Sequence, residues 1–305
     1  FKRQNMKKYI YIIALSICFT AASAQQLQTS SLYEVQGVLH NPAMAGMQPS
    51  NFVGATYRSQ WSGITGSPKT TNVFGSFAVP DKLIGLSGFI YNDVTGPTSR
   101  TGAQFSFAKH LPLSDGSGKF SIGVETRLFQ FGIDKNKLGL TLGNDPILAG
   151  AETRTKFDAG LGLAFTNEKL QVGVSVAQLI QSKLDFYTGS QTPASQGRLY
   201  RHFYLHTNYR IDVGGGTTIV PNMLLIYLPS TSAAEFQAGA RVERELFWWG
   251  VGIRSRQSYM LSAGLNINKN FSLGYGYDSY ISPISTFDGG ANGHELLLRY
   301  KFNKK

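Results

Sequence analysis

The sequence predicts an all-β fold, a transmembrane β-barrel of about 14 antiparallel strands. Three observations predict it. Apolar and polar residues alternate with period two through most of the chain. The alternating segments run about nine to twelve residues, the span a tilted strand needs to cross a bilayer, whereas strands of soluble sandwiches run nearer five or six. Charged residues are only 15 % of the 305 residues, while Gly occurs 34 times; about 25 % charged is usual for a soluble domain.

The alternation is plain at the C-terminus. In "HELLLRYKF", Leu296, Leu298, Tyr300 and Phe302 share one face, and Glu295, Arg299 and Lys301 the other, with Leu297 as the exception. In "KFDAGLGLAF", Phe157, Leu161, Leu163 and Phe165 oppose Lys156, Asp158, Gly160 and Gly162. "FSLGYGYD", "AEFQAGARVE" and "KLQVGVSVAQ" repeat the pattern. Successive strand side chains point to opposite faces, so each segment has one apolar and one small or polar face. A barrel turns the first to lipid and the second to its lumen.

The first element lies outside the barrel. "MKKYIYIIALSICFTAASA" has a basic start, an apolar run from Tyr9 to Phe19 and a small-residue end at Ala22-Ser23-Ala24. It reads as a secretory signal peptide over 1–24, with the mature chain starting at Gln25. Residues 1–5 are read as a mis-start or tag. Cys18, the single cysteine, follows Ile17 rather than the small residue that lipidation requires, so it is read as part of the apolar run.

Residues 25–50 are expected to form a periplasmic N-terminal segment, and 51–305 the barrel. Fourteen strands are expected near 51–59, 69–79, 84–92, 98–109, 119–131, 154–166, 169–178, 200–211, 216–227, 234–243, 246–254, 257–266, 270–279 and 293–302. Pro221 makes the segment 216–227 the weakest of them. The gaps alternate in length. "PDKL", "NE" and "RE" are short, whereas 132–153, 179–199 and 280–292 are long. Short periplasmic turns and long outer loops are the asymmetry of such barrels, and an even strand count puts both termini in the periplasm. Tyr57, Tyr91, Trp248, Trp249, Tyr300 and Phe302 fall near segment ends, where interfacial girdles sit.

Composition and motifs exclude most chemistries. The net charge is +11, of which four charges (Lys2, Arg3, Lys7, Lys8) lie in the signal segment. The remaining +7 forms no basic run, so no nucleic-acid partner is expected. No P-loop, HExxH or G-x-S-x-G occurs, and no cofactor is expected. "GLGLAF" at 160–165 lies inside an alternating strand and has no helix after it. His202 and His206 are four residues apart, about 13 Å on a strand, too far to share a metal ion. The lysines of "DKNKLG" at 134–139 argue against calcium, and "DGGANG" at 288–293 reads as a flexible loop. Glu235, Arg241, Glu243, Glu295, Arg299 and Lys301 face the lumen in this register. They could form a catalytic cluster, but pairing across the interior to plug it is the commoner arrangement.

One stretch is more ornate: "HNPAMAGMQPSNFVGATYRSQWSGITGSP", His40 to Pro68. Asn41-Pro42 forces an extended or turn geometry, and Gly46 allows positive φ. "HNPAMAG" is expected at the periplasmic rim, and "YRSQWSGITGSP" at the start of the first outer loop. "NPAMAG" followed at short distance by "YRSQWSGITGSP" resembles the PorP/SprF family of the type IX secretion system, outer-membrane proteins of Bacteroidetes. The resemblance implies binding, and anchoring or helping to export, a large secreted surface protein of the gliding-adhesin type through its C-terminal domain, with periplasmic secretion-system components as further partners and outer-membrane lipid around the barrel. Arg58, Gln60, Trp61, Ile64, Asn41 and Pro42 are the candidate partner-binding residues. Arg58 and Trp61 lead because their residue types are enriched at binding hot spots, although turn residues such as Pro42 equally suit a purely geometric role. A passive channel for small solutes is the alternative. An enzyme is disfavoured because no nucleophile–base set is evident.

Overall fold

The computed structural model describes residues 29–138, 150–184 and 198–302. The expected signal peptide, and parts of the long loops 132–153 and 179–199, lie outside the described residues.

Every described strand belongs to one antiparallel sheet. In chain order these are β1 (Asn51–Ser59), β2 (Lys69–Val79), β3 (Ile84–Thr95), β4 (Thr98–Pro112), β5 (Lys119–Asp134), β6 (Ala151–Thr166), β7 (Leu170–Ala177), β8 (His202–Tyr209), β9 (Ile211–Gly214), β10 (Thr217–Leu228), β11 (Ala233–Glu243), β12 (Phe247–Arg254), β13 (Ser258–Asn266), β14 (Phe271–Tyr280) and β15 (Gly293–Phe302). Each pairs with its sequence neighbour. The last strand pairs with the first (Arg58 opposite Glu295, Ala55 opposite Leu298), which closes the ring. β8 and β9 are one strand interrupted at Arg210, so the barrel has fourteen staves.

Pro221 explains that interruption. It sits inside β10 opposite Ala240 of β11. On its other side β10 pairs with β8 only from Asn222 onward, and with β9 only up to Ile219. A proline has no N–H for a ladder, and the neighbouring strand breaks where that donor is missing.

The outward face is apolar, as a lipid-facing surface requires. Leu161, Leu163, Leu296, Leu298 and Tyr300 are all exposed on it. At one end the connections are short, at 80–83, 113–118, 167–169, 215–216, 244–246 and 267–270; the other end carries 60–68 and 281–292 and the ends of the two longest loops.

The lumen is where expectation and structure part. Residues 30–47 do not sit at the rim; they pass through the barrel interior. Described from Thr29, beside Gln60 at the long-loop end, the segment runs through three single helical turns, Tyr33–Val35, Gly37–His40 and Pro42–Met44. It leaves through Gln48–Ser50 at the short-turn end and enters β1. Leu32, Ala43 and Ala45 are fully buried. The physical reason is the inner face of the barrel, which carries large apolar side chains. Phe52, Phe74, Phe89, Trp248 and Leu297 pack against Leu32, Val35 and Leu39. Tyr33 packs with Tyr204, Leu224, Ile226 and Met260, and Val38, Met44 and Met47 with Ala164. Each such side chain, fully buried, contributes about 1.5–3 kcal/mol. Leu297, the exception to its strand's alternation, is an inner-face contact of the plug.

The "NPAMAG" motif is the lower half of this plug. Asn41 Oδ1 accepts from Ala43 N (2.9 Å), capping a turn that Pro42 begins. Its Nδ2 donates to the carbonyls of Leu163 (3.0 Å) and Val174 (3.3 Å) on β6 and β7. Two barrel glycines make room for it. A Cβ on Gly162 would lie 2.0 Å from Asn41 Oδ1, and one on Gly85 would lie 1.9 Å from the Ala45 carbonyl oxygen.

Two predictions follow from this packing. Gly162→Val drives a branched side chain into Asn41 and unseats the plug, so ion conductance in a planar bilayer rises above wild type; Leu163→Val, on the lipid face, leaves it unchanged. Leu298→Arg puts a charge against lipid and costs about 2–4 kcal/mol near the bilayer midplane. Lys301→Gln, inside the ring, shifts stability by less than about 0.5 kcal/mol. Denaturant unfolding in vesicles reads both, and equal losses would contradict the assignment of faces.

Candidate functional site

Three regions carry the polar chemistry of the lumen: a buried ionic network, the long-loop mouth and the short-turn mouth.

The network joins the plug to the seam where the barrel closes. Arg58 of β1 pairs with Asp278 of β14 and with Glu295 of β15 (3.2 Å to the latter). Arg254 of β12 lies 3.5 Å from Asp278 and 3.7 Å from Glu235 of β11. Arg58, Arg254, Asp278 and Glu295 are each no more than 2 % exposed. Two basic and two acidic side chains are thus buried together, which is tolerable only with close pairing. The plug supplies further partners, beside Ser258 of β13, which donates to Asp278 (3.2 Å). Ser30 Oγ and Ser31 N each donate to Glu295 (both 2.7 Å), and Ser31 Oγ donates to Asp278 (2.8 Å). Arg58 donates to Ser31 Oγ (2.5 Å), and Arg254 to the Ser30 carbonyl (2.9 Å). Gln36 Nε2 donates to Ser30 Oγ and Glu295 (3.0 and 3.1 Å). Both serine hydroxyls are thus held by carboxylates inside the network.

At the long-loop mouth, 60–68 is fastened to 281–292. Ser62 N donates to the Asn292 carbonyl (3.1 Å), and Ser62 Oγ to the Ala291 carbonyl (2.9 Å). Trp61, at φ 49°, packs its ring 6.3 Å from that of Tyr280. The "DGGANG" stretch is a built turn rather than the expected flexible loop: buried Asp288 accepts from Gly290 N (2.8 Å) and Asn292 N (2.9 Å). Phe287, just before it, is 73 % exposed.

The short-turn mouth is a vestibule of about 820 Å³ whose inner end is the plug. Lys119, Lys169, Arg210, Arg241, Arg244, Arg299 and Lys301 line it, with Glu34, Glu168 and Glu243. Arg241 pairs with Glu34 (3.2 Å) and Glu243 (2.5 Å), and Arg210 with Glu243 (2.9 Å). Lys119, Lys169, Arg299 and Lys301 have no ion-pair partner among the described residues. The Arg299 guanidinium lies 5.5 Å from the centre of the Phe52 ring. Asp115, in the nearby turn 113–118, is held below the usual carboxylate range by hydrogen bonding from Ser117.

The structure therefore sorts the candidate residues. Asn41 and Pro42 are buried in the plug and are not available to a partner at a rim. Arg58 is 1 % exposed and is a centre of ion pairing rather than an outer contact. Gln60, Trp61 and Ile64 remain half-exposed at the long-loop mouth. Glu295 and Glu235 belong to the buried network, while Arg241, Glu243, Arg299 and Lys301 line the vestibule. His206 Nε2 meets Asn41 Nδ2 (3.0 Å), and His202 meets Gln178 and the Tyr200 carbonyl (both 2.8 Å). Sequence reasoning missed Asp278 and Arg254. Both lie on the inner face in the period-two register, so the signal was present; what was lacking was a reason to pair charges on strands distant in sequence.

Arg58→Met leaves Asp278 and Glu295 buried without their shared cation, and a cost of about 3–5 kcal/mol is expected. Adding Glu295→Gln to that variant removes the carboxylate left without an ion pair, whereas Asp278 keeps Arg254, and recovers part of the loss, as denaturant unfolding of both proteins checks.

Comparison with known proteins follows the same lines. Solved structures similar to this chain include a TodX deletion mutant, a monoaromatic hydrocarbon channel, at 8 % identity over 88 % of this chain and 94 % of that one (TM-score 0.50). A FadL homologue of Pseudomonas aeruginosa is 10 % identical over 86 % and 93 % (TM-score 0.47). The outer-membrane protein Omp33 of Acinetobacter baumannii is 9 % identical over 85 % and 99 % (TM-score 0.45). At 8 % identity the likeness to the TodX structure is one of fold alone. The comparison with curated proteins finds no match. The family described as "Type IX secretion system membrane protein PorP/SprF" matches residues 21–300. With its closed ring of fourteen antiparallel staves and apolar outer face, this chain is an outer-membrane protein, and it belongs to the PorP/SprF family of type IX secretion system membrane proteins.

Proposed function

We propose that this protein is a plugged, non-enzymatic barrel that binds a large secreted surface protein through that protein's C-terminal domain and anchors it or helps export it. One observation carries the reading: the chain fills its own lumen. A passive channel needs a continuous aqueous path, and residues 30–47 occupy that path with apolar side chains packed on both sides. The family supplies the secretion context. Recognition then falls to the barrel ends, because loops on a rigid scaffold are where binding usually resides.

The long-loop mouth suits a cell-surface partner. Its loops 60–68 and 281–292 are fastened together, which lowers the ordering cost of binding. Phe287 presents a large, mostly exposed apolar ring, and Trp61 and Ile64 lie on the adjoining loop. An adhesin of the kind used in gliding is the type of cargo proposed. Ser30 and Ser31 are buried in the plug, out of a substrate's reach, which supports a binding role over catalysis.

Deleting the gene is expected to strip one large protein from the cell surface while bulk secretion continues. Purification in mild detergent should recover that protein in stoichiometric amount by mass spectrometry. Phe287→Ala should weaken the complex by about 1–2 kcal/mol, five- to thirty-fold in affinity. Trp61→Ala should weaken it as much and also loosen the loop pair. Steady conductance by the wild type in a planar bilayer, with no companion recovered, would favour the channel.

A further inference from the structure

We infer that the short-turn mouth is a second docking site, one that takes an extended, carboxylate-rich protein segment from the periplasmic side. The inference is independent of what the outer loops bind.

The first ground is charge. The two acids nearest the plug, Glu34 and Glu243, are already held by Arg241 and Arg210. Lys119, Lys169, Arg299 and Lys301 are left without an ion-pair partner among the described residues. A concave wall on which seven cations outnumber three acids, Glu168 being the third, focuses field and concentrates counter-ions. Arg299 also keeps a buried Nε–H without a hydrogen-bond acceptor.

The second ground is closure. The inner end of the vestibule is the plug itself, at Glu34 and Val35. An anion entering here stops here; the mouth is a receptor and not the entrance of a conduit. Its volume, about 820 Å³, lies within the range of binding sites.

The third ground is spacing, and it selects the ligand. Arg299 and Lys301 lie on β15, while Lys169 immediately precedes β7. Counted round the ring, β7 and β15 are seven staves apart in either direction, so these cations face each other across the full width of the barrel. Lys119, at the start of β5, stands two staves from β7. Neighbouring strands are about 4.8 Å apart, so a single phosphate or carboxylate cannot reach both sides. A segment carrying several carboxylates can. Apolar side chains at the cavity base, Val35, Phe52 and Trp248, give such a segment something to pack on between its charges. Such barrels turn their short turns to the periplasm, which places the partner there.

The test uses the purified full chain in detergent with fluorescein-labelled hexaglutamate, read by anisotropy. Hexaglutamate is expected to bind, and to bind more weakly as salt screens the charges. The pair Arg299→Gln with Lys301→Gln and the pair Lys119→Gln with Lys169→Gln should each weaken it ten-fold or more. Arg299→Lys with Lys301→Arg should retain binding. Heat-modifiable gel migration confirms that each variant is folded. Phe287→Ala should change nothing here, which separates this site from the outer one. Equal binding of hexaglutamine, or no effect from either neutralised pair, overturns the inference. Dependence on one pair alone, with inorganic phosphate displacing the peptide at matched charge, also overturns it and leaves a simple anion site.

Discussion

The pairing of Arg58 with Asp278 and Glu295 is the constraint on which the rest of the structure depends. Arg58 and Glu295 stand opposite each other on the first and last strands, at the seam that turns an open sheet into a ring. Either charge alone, buried at that depth, would cost more than the seam could return. Ser30, Ser31 and Gln36 of the plug donate to these carboxylates, Ser30 and Ser31 making three of the contacts. Closure of the barrel and seating of its own N-terminal segment are therefore one event energetically. A ring closed without the plug would leave Glu295 and Asp278 short of donors. A plug without the closed ring would have no seat.

Much of the barrel was legible because period-two alternation is a property of the backbone itself. The faces of β6, β14 and β15 could be assigned residue by residue from Leu161, Tyr275 and Leu298. Pro221 was legible as a weak point, and the structure turns it into a specific break in the neighbouring strand. The plug was not legible, for two physical reasons. Its helical turns are three or four residues each, too short to show any period. Its Asn-Pro and Gly-rich chemistry reads as a turn whether that turn lies at a rim or in a lumen. The signal that could have revealed it sits on the barrel. Phe52, Phe74, Phe89 and Leu297 are large apolar residues on faces that should be polar if they met water. An apolar inner face implies a solid filling. Gly162 of "GLGLAF" belongs to the same signal, since Asn41 presses on it, whereas Gly160 makes room for Glu125 of the barrel wall.

The sorting of candidate residues has the same origin. Residue type pointed to Arg58 and Trp61 as contacts, because Arg and Trp are enriched where proteins meet. Arg58 meets another protein surface only in the sense that the plug is one. The chemistry that makes Arg a good interface residue, a planar fork of donors matched to carboxylates, serves an interface within the chain. Residue type alone cannot distinguish an internal interface from an external one; burial can.

The width of the barrel shows why a polypeptide plug is needed at all. An eight-stranded barrel is narrow enough for its own side chains to fill. Fourteen staves enclose more space than inward side chains can reach across, and only water or a further segment of chain can occupy it. Water would require a polar inner face. The apolar rings of β1, β2, β3 and β12 rule that out and leave the chain as the filling. A filling of eighteen residues threaded lengthwise then divides the interior into two separate mouths. One is lined by fastened loops and an exposed aromatic ring, the other by cations of which four have no ion-pair partner among the described residues. Because the segment between them is packed against the barrel wall, a change confined to one mouth opens no path through the membrane to the other.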